Sequence, residues 1–235
     1  MSLLTADGLL KDLKNVSSPK KAKASSWFFK TGKGQYGEGD VFIGVTVPEQ
    51  RAIAKKYKDL ELSEVIKLLQ NKIHECRLTA LFILVSRYKS DKNESKKIVD
   101  LYLKNIKYIN NWDLVDSSAP YILGHYLLEK DKSILYKYAV SKDLWKRRIS
   151  ILSTAWFIKE GEYLDTLKIS ETLLSDKEDL IHKAVGWMLR EVGKKSLKNE
   201  VEFLDKFASI MPRTMLRYAI EKFPPKQRKY YLNLV

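Results

Sequence analysis

The sequence predicts an all-α protein, a superhelix of stacked helix pairs with a concave basic face. Three observations predict it. Apolar residues recur at helical spacing through almost all of the 235 residues. Strand-type alternation is confined to Asp40-Val41-Phe42-Ile43-Gly44-Val45-Thr46-Val47. Basic or polar residues open the longer helices at Arg77, Asp113, Arg148, Lys183 and Arg213, with gaps of 36, 35, 35 and 30 residues. One helix pair of that length cannot bury its own apolar face, so neighbours stack into a solenoid whose longer helices line one wall. A non-repetitive helical bundle is the competing architecture.

In chain order, an aromatic run, Trp27-Phe28-Phe29-Lys30, precedes a glycine-rich stretch. Gly32, Gly34, Gly37, Gly39 and Gly44 are half of the ten glycines, so 31–47 reads as a long irregular connection. It lacks the Gly-x-x-x-x-Gly-Lys-Ser/Thr of a phosphate loop. Pro48 suits the first turn of the next helix. Helices are predicted at 48–58, 62–72, 74–89, 93–108, 111–128, 131–140, 143–160, 162–174, 178–195, 197–210 and 212–223. Ser63, Asn93, Asp176 and Asn110 are read as start signals. Pro120, inside one segment, should kink it or split off its first turn.

Composition narrows the function. The chain is 45% hydrophobic and 31% charged, which suits a soluble protein with a substantial core. Cys76 is the only cysteine, so no intramolecular disulfide forms and a reducing, cytoplasmic home fits. Met1-Ser2-Leu3-Leu4-Thr5-Ala6-Asp7 shows no leader pattern, and no apolar run approaches a membrane span. The net charge is +14, concentrated at the two ends. Residues 1–60 carry 11 basic against 6 acidic residues, and 181–235 carry 12 against 5. That excess implies a polyanionic partner, most simply nucleic acid. His74, His125 and His182 are too dispersed for a metal site, so no cofactor is expected.

Against this basic background, Asn110-Asn111-Trp112-Asp113-Leu114-Val115-Asp116 stands out. Four residues are about one helical turn, so Trp112 and Asp116 share a face. A carboxylate beside an aromatic ring repels phosphates unless it has a cationic target of its own. Two further segments stand in comparable repeat positions: Leu144-Trp145-Lys146-Arg147-Arg148-Ile149-Ser150 and His182-Lys183-Ala184-Val185-Gly186-Trp187-Met188-Leu189-Arg190-Glu191. On one solenoid wall, Asp116, Arg148 and the Trp187/Arg190 face would converge. Burial of Ile149 and Leu152 leaves Arg148 as the residue facing that wall. Trp145 and Trp156 are expected in the core. Asp113 is the better candidate for a plain helix-dipole acid.

Together the three segments resemble the AlkD-type DNA alkylation-repair glycosylases, which are built from HEAT-like repeats. Trp-Asp-x-Val-Asp, Trp-x-x-Arg and Lys-Ala-x-Gly-Trp-x-Leu-Arg-Glu occur here in the family's order, over about residues 20–225. The resemblance implies a single HEAT-like-repeat domain over 1–235. It implies a monofunctional glycosylase, acting as a monomer on duplex DNA, that removes cationic N3- or N7-alkylated purines. It assigns catalysis to Asp116 and places Trp112 and Trp187 against the deoxyribose. It puts Arg148, Arg190, Lys183 and Phe28 on the DNA. The glycine-rich stretch and Asn111 depart from the compact members. The chemistry is self-consistent, because a cationic purine leaves without a general acid. An ionised aspartate then stabilises the positive charge that develops on the sugar. Two other classes fit parts of the pattern: a non-catalytic binder of damaged or branched DNA, which has no need of Asp116, and a protein-interaction scaffold, which has no need of the basic ends.

Overall fold

The computed structural model describes residues 4–234; Met1, Ser2, Leu3 and Val235 lie outside it, including the first residues read for a leader. The protein is helical, and among the described residues the only β-type pairing is an isolated parallel bridge between Val41 and Ile73. The chain divides into two compact units, Met1–Ser118 and Ala119–Val235.

The first unit is built from α1 (Ala6–Asn15), α2 (Pro19–Phe28), α3 (Val47–Lys56), α4 (Leu62–Leu69), α5 (His74–Ser90), α6 (Ser95–Lys104) and α7 (Trp112–Asp116). α5 is its axis, with α1, α3, α4, α6 and α7 packed around it. The α5 residues from His74 to Leu84 are therefore all buried, and the first turn carries His74, Glu75 and Arg77 into the interior. α1 and α2 were not among the predicted helices. Thr5 caps α1 by accepting from Gly8 N–H, and Ser18 caps α2 with Pro19 in its first position. α2 has no buried residue and so no apolar stripe to signal it. It closes with Lys30 in a left-handed conformation (φ 52°), where Thr31 N–H donates to Ser26 O and Lys30 N–H to Trp27 O.

The second unit holds α8 (His125–Leu127), α9 (Ser133–Ala139), α10 (Leu144–Lys159), α11 (Leu164–Thr172), α12 (Asp179–Lys195), α13 (Leu197–Phe207), α14 (Arg213–Ala219) and α15 (Pro225–Leu232). α10 packs against α9, α11 and α12, and α12 against α13 and α14. Gly186 makes the last contact possible: a Cβ there would sit 2.4 Å from Met215 O and 2.5 Å from Tyr218 Cβ. Short and long helices alternate from α9 to α12, but α7 and α14, expected among the longer helices, span only Trp112–Asp116 and Arg213–Ala219, and α14 is shorter than α13. Pro120 acts as expected of a helix-breaking residue, and the backbone from Pro120 to Gly124 is a π-helical turn. Pro48 sits in the first turn of α3, as predicted.

Several start signals need correction. α4 begins at Leu62 after Glu61, so Ser63 lies inside it. Asp91, rather than Asn93, caps the 3-10 turn before α6. Asp176 lies three residues ahead of α12, where it accepts from the N–H of Glu178 and also holds Arg147. α7 is capped by Asn111, not Asn110. The repeat register also shifts by one residue. Arg77 donates Nη1 to Asn71 O and Lys72 O, while Arg147 donates Nη1 to Ser141 O and Lys142 O. Each is fourth in its helix and each pairs with an aspartate, so Arg147 rather than Arg148 is the counterpart of Arg77.

Candidate functional site

In the first unit, the site is organised around the start of α7. Asn111 is fully buried; its side-chain carbonyl accepts from Trp112 N–H at 2.8 Å and its amide donates to Asp40 Oδ2 at 3.0 Å. Trp112 and Asp116, the first and last residues of α7, are both half-buried and one turn apart. The Trp112 ring stacks on Phe29 at 5.2 Å, and Phe28 meets it edge-on at 5.9 Å. Phe29 in turn stacks on Phe42 at 4.9 Å, and Phe42 on His74 at 4.5 Å. The structure thus brings Phe28 and Trp112 together in one aromatic cluster. It leaves Trp27 83% exposed and Phe28 57% exposed at the end of a helix carrying Lys20, Lys21 and Lys23.

Beneath the stack lies a charge network that the sequence did not reveal. His74 faces Asp40 Oδ2 through Nδ1 at 2.9 Å and Asp113 Oδ2 through Nε2 at 2.8 Å. Arg77 Nη2 donates to Asp40 Oδ1 at 2.5 Å. Burial works against the imidazolium, yet Asp113 and Asp40 outweigh it and raise the His74 pKa above its ordinary value. Burial alone would raise Asp40, but hydrogen bonding from His74 and the Arg77 charge hold it below the usual carboxylate range. Asp113 is therefore more than a helix-dipole acid, although it also accepts from Leu114 N–H.

The glycine-rich stretch is irregular, as predicted, but firmly held. The buried Glu75 carboxylate accepts from Gly44 N–H at 2.7 Å, Ile43 N–H at 3.1 Å and Val45 N–H at 3.3 Å. Val41 O accepts from His74 N–H. Gly44 takes φ 82°, and a Cβ there would lie 2.2 Å from Ser18 O, so no larger residue fits. The stretch is a strap that delivers Asp40 and Phe42 to the site.

In the second unit, Arg148 is only 5% exposed and donates Nη1 to Leu180 O at 2.5 Å, tying α10 to the start of α12. Lys183 pairs with Asp179 at 2.7 Å. Trp187 is half-buried and donates its indole N–H to Glu191 at 3.1 Å. Arg190 pairs with Glu221 and lies 3.9 Å from Glu191. Trp187 and Met188 line a cavity of about 380 Å³ together with Ala155, Ile158, Lys159, Glu191, Lys194 and Lys195. Trp145 and Trp156 are half-buried instead of core. Lys159 Nζ lies 3.9 Å over the Trp156 ring, and His125 meets that ring edge-on.

The family profile described as DNA alkylation repair enzyme matches residues 9–223. The chain belongs to that family. This DNA alkylation repair family member is similar in fold to a solved structure described as a predicted DNA alkylation repair enzyme from Enterococcus faecalis. That likeness has a TM-score of 0.68 and 16% identity, and covers 89% of this chain and 97% of that one. It is also similar to a structure described as belonging to a new family related to the HEAT-like repeat DNA glycosylases with affinity for branched DNA structures. There the TM-score is 0.58 with 13% identity, covering 92% and 83% of the two chains. No curated protein matches in sequence. At these identities the structures establish the fold, an all-α arrangement of HEAT-like helix pairs. Among the described residues, no helix is long and apolar enough to cross a membrane.

Proposed function

We propose that this family member is a monofunctional DNA glycosylase, a single cytoplasmic repair domain over 1–235 that acts as a monomer. It hydrolyses the N-glycosidic bond of cationic N3- or N7-alkylated purines in duplex DNA held on a concave basic face. The observation that carries the reading is the placement of Asp116 one turn from Trp112 on α7, whose first turn is anchored to a stacked aromatic column. A cationic purine needs no protonation to depart. What the enzyme must supply is negative charge where the sugar becomes positive, and an aspartate supplies it in the transition state more than in the ground state. Asp116 fills that role and orients water. Trp112 and Trp187 pack against the deoxyribose, where ring faces favour cationic carbon. Arg190, Lys183 and Phe28 hold the DNA, and Arg148, otherwise only 5% exposed, joins them by releasing Leu180 O. Arg190 and Lys183 leave carboxylate partners to do so, a like-for-like exchange for phosphate.

The exposed Trp27 and Phe28 support a second reading, a non-catalytic binder of damaged or branched DNA, because exposed aromatic faces beside lysines stack on unpaired bases. The deciding assay is release of free base from DNA alkylated at purine N3 and N7, run beside binding to the same DNA. Tight binding without release selects the second reading. Neither binding nor release returns the chain to a protein scaffold.

A further inference from the structure

Each ring nitrogen of His74 lies within 3 Å of a carboxylate oxygen, Asp40 on one side and Asp113 on the other. A neutral imidazole carries one N–H and one lone pair, so it can satisfy only one of them. Only the imidazolium donates to both. Its charge completes an alternating series, Asp113, His74, Asp40, Arg77, in which two cations face two carboxylates. The ring also lies against the faces of Phe42 and Phe29, at 4.5 and 5.1 Å, where a cation is favoured.

We propose that His74 is the positioning residue of this site: as an imidazolium clamped between Asp40 of the strap and Asp113 of α7, it fixes the first turn of α7 and so aims Trp112 and Asp116. Three links carry the constraint. Asp113 follows Trp112 directly and is held by His74 Nε2. Asn111, which caps α7, shares Asp40 Oδ2 with His74 Nδ1. The Trp112 ring rests on Phe29, which rests on Phe42 and His74. Every link passes through the strap or its neighbours, which explains why Glu75 and Gly44 secure that segment so tightly. Asp116 needs no direct contact with His74, because it sits on the same short helix.

The charged groups facing His74 are Asp40 from the strap, Asp113 from α7 and Arg77 from its own helix, whose Nη2 lies 3.5 Å from Nδ1 and opposes protonation. The end of α2 contributes only the Phe29 ring. His74 gains its proton affinity from folding. The clamp is therefore complete below the ordinary histidine value of about 6.5 and is lost as pH rises through the higher folded value.

The role of His74 rests on the glycosylase reading only for its activity readout, and two measurements keep them apart. Nitrogen-15 NMR of the full chain resolves three imidazoles, His74, His125 and His182. His74 is expected to carry protons on both nitrogens at neutral pH and to titrate above the ordinary value; a singly protonated His74 at neutral pH overturns the proposal whether or not the protein is an enzyme. Second, His74→Gln and Asp40→Asn are compared with wild type on alkylated DNA. Both should lower kcat for base release by about ten- to a hundredfold, the cost of a small misplacement of catalytic groups, with KM little changed. His74→Gln should also abolish the alkaline fall of the wild-type pH profile. Unchanged kcat in two variants that melt as folded proteins overturns the proposal. Wild type without base release, but with a doubly protonated His74, sinks the glycosylase reading and leaves the clamp standing.

Discussion

Replacing Glu75 with alanine tests whether the strap is held as the structure indicates. The carboxylate is 2% exposed and accepts three backbone N–H groups, those of Ile43, Gly44 and Val45. Gly44 and Val45 are buried, so water cannot replace the lost acceptor without opening the segment. Leaving a buried donor unsatisfied costs about 1–3 kcal/mol, so two such donors set the loss at about 2–6 kcal/mol. That is a large share of the ~5–15 kcal/mol that stabilises a typical domain. Glu75→Gln retains one carbonyl acceptor and should cost roughly half as much. Urea unfolding followed by far-UV circular dichroism gives both values, with the midpoint falling and the slope little changed. The change should also alter the near-UV signal, because Phe42, Phe29 and Trp112 share one stack with the strap. A Glu75→Ala protein within about 0.5 kcal/mol of wild type, the range of an ordinary surface substitution, would mean that the carboxylate does not hold the strap.

Three further outcomes are expected. Gly186→Ala presses a methyl group into Met215 O and the Tyr218 side chain, so the melting temperature should fall by the equivalent of about 1–3 kcal/mol. DNA affinity should fall with salt at ~0.9 log unit per log unit for each neutralised phosphate. Arg190→Ala and Lys183→Ala should each lessen that slope by about one contact's worth, while Arg148→Ala should also lower thermal stability because Leu180 O loses its donor. Trp27→Ala should leave thermal stability almost unchanged, since the ring is 83% exposed, yet weaken binding to gapped or branched DNA more than to intact duplex.

How much of this was legible in the sequence depended on range. Helices such as α4 and α12 declare themselves by an apolar stripe, whereas α1, which buries Ala6, Leu9 and Leu13 at the same spacing, shows that a stripe alone is not sufficient signal in a short segment. α2 has no stripe, because it buries nothing, and α15, whose only buried residue is Tyr231, was passed over for the same reason. The glycines of 31–47 correctly signalled an irregular segment, but not its fixity, which comes from Glu75 about thirty positions away. The Trp112–Asp116 pair is local and could be read at helical spacing. The clamp on His74 joins residues 34 and 39 positions apart, and no periodicity reports such a contact. The available signal was the clustering of Asp40 among glycines and of Asp113 beside a tryptophan, each a charge with no evident solvent role. Arg147 and Arg148 show the limit of a repeat count: a one-residue error in register exchanged their counterparts, and only the carbonyl contacts of Arg77 and Arg147 corrected it.

Single-turnover base release from N7-methylguanine DNA shows whether Asp116 stabilises positive charge on the sugar of an alkylated nucleotide. Wild type and Asp116→Asn are compared at equal DNA occupancy. The substitution keeps size and removes charge, so release should fall by ~10²–10³-fold, the scale of losing one preorganised electrostatic group. Affinity should hold or rise slightly as an anion near phosphates disappears, and unmodified DNA should remain intact with both proteins. Equal release by Asp116→Asn and wild type would contradict the account and move the chemistry away from Asp116, with Asp113 the next residue to substitute.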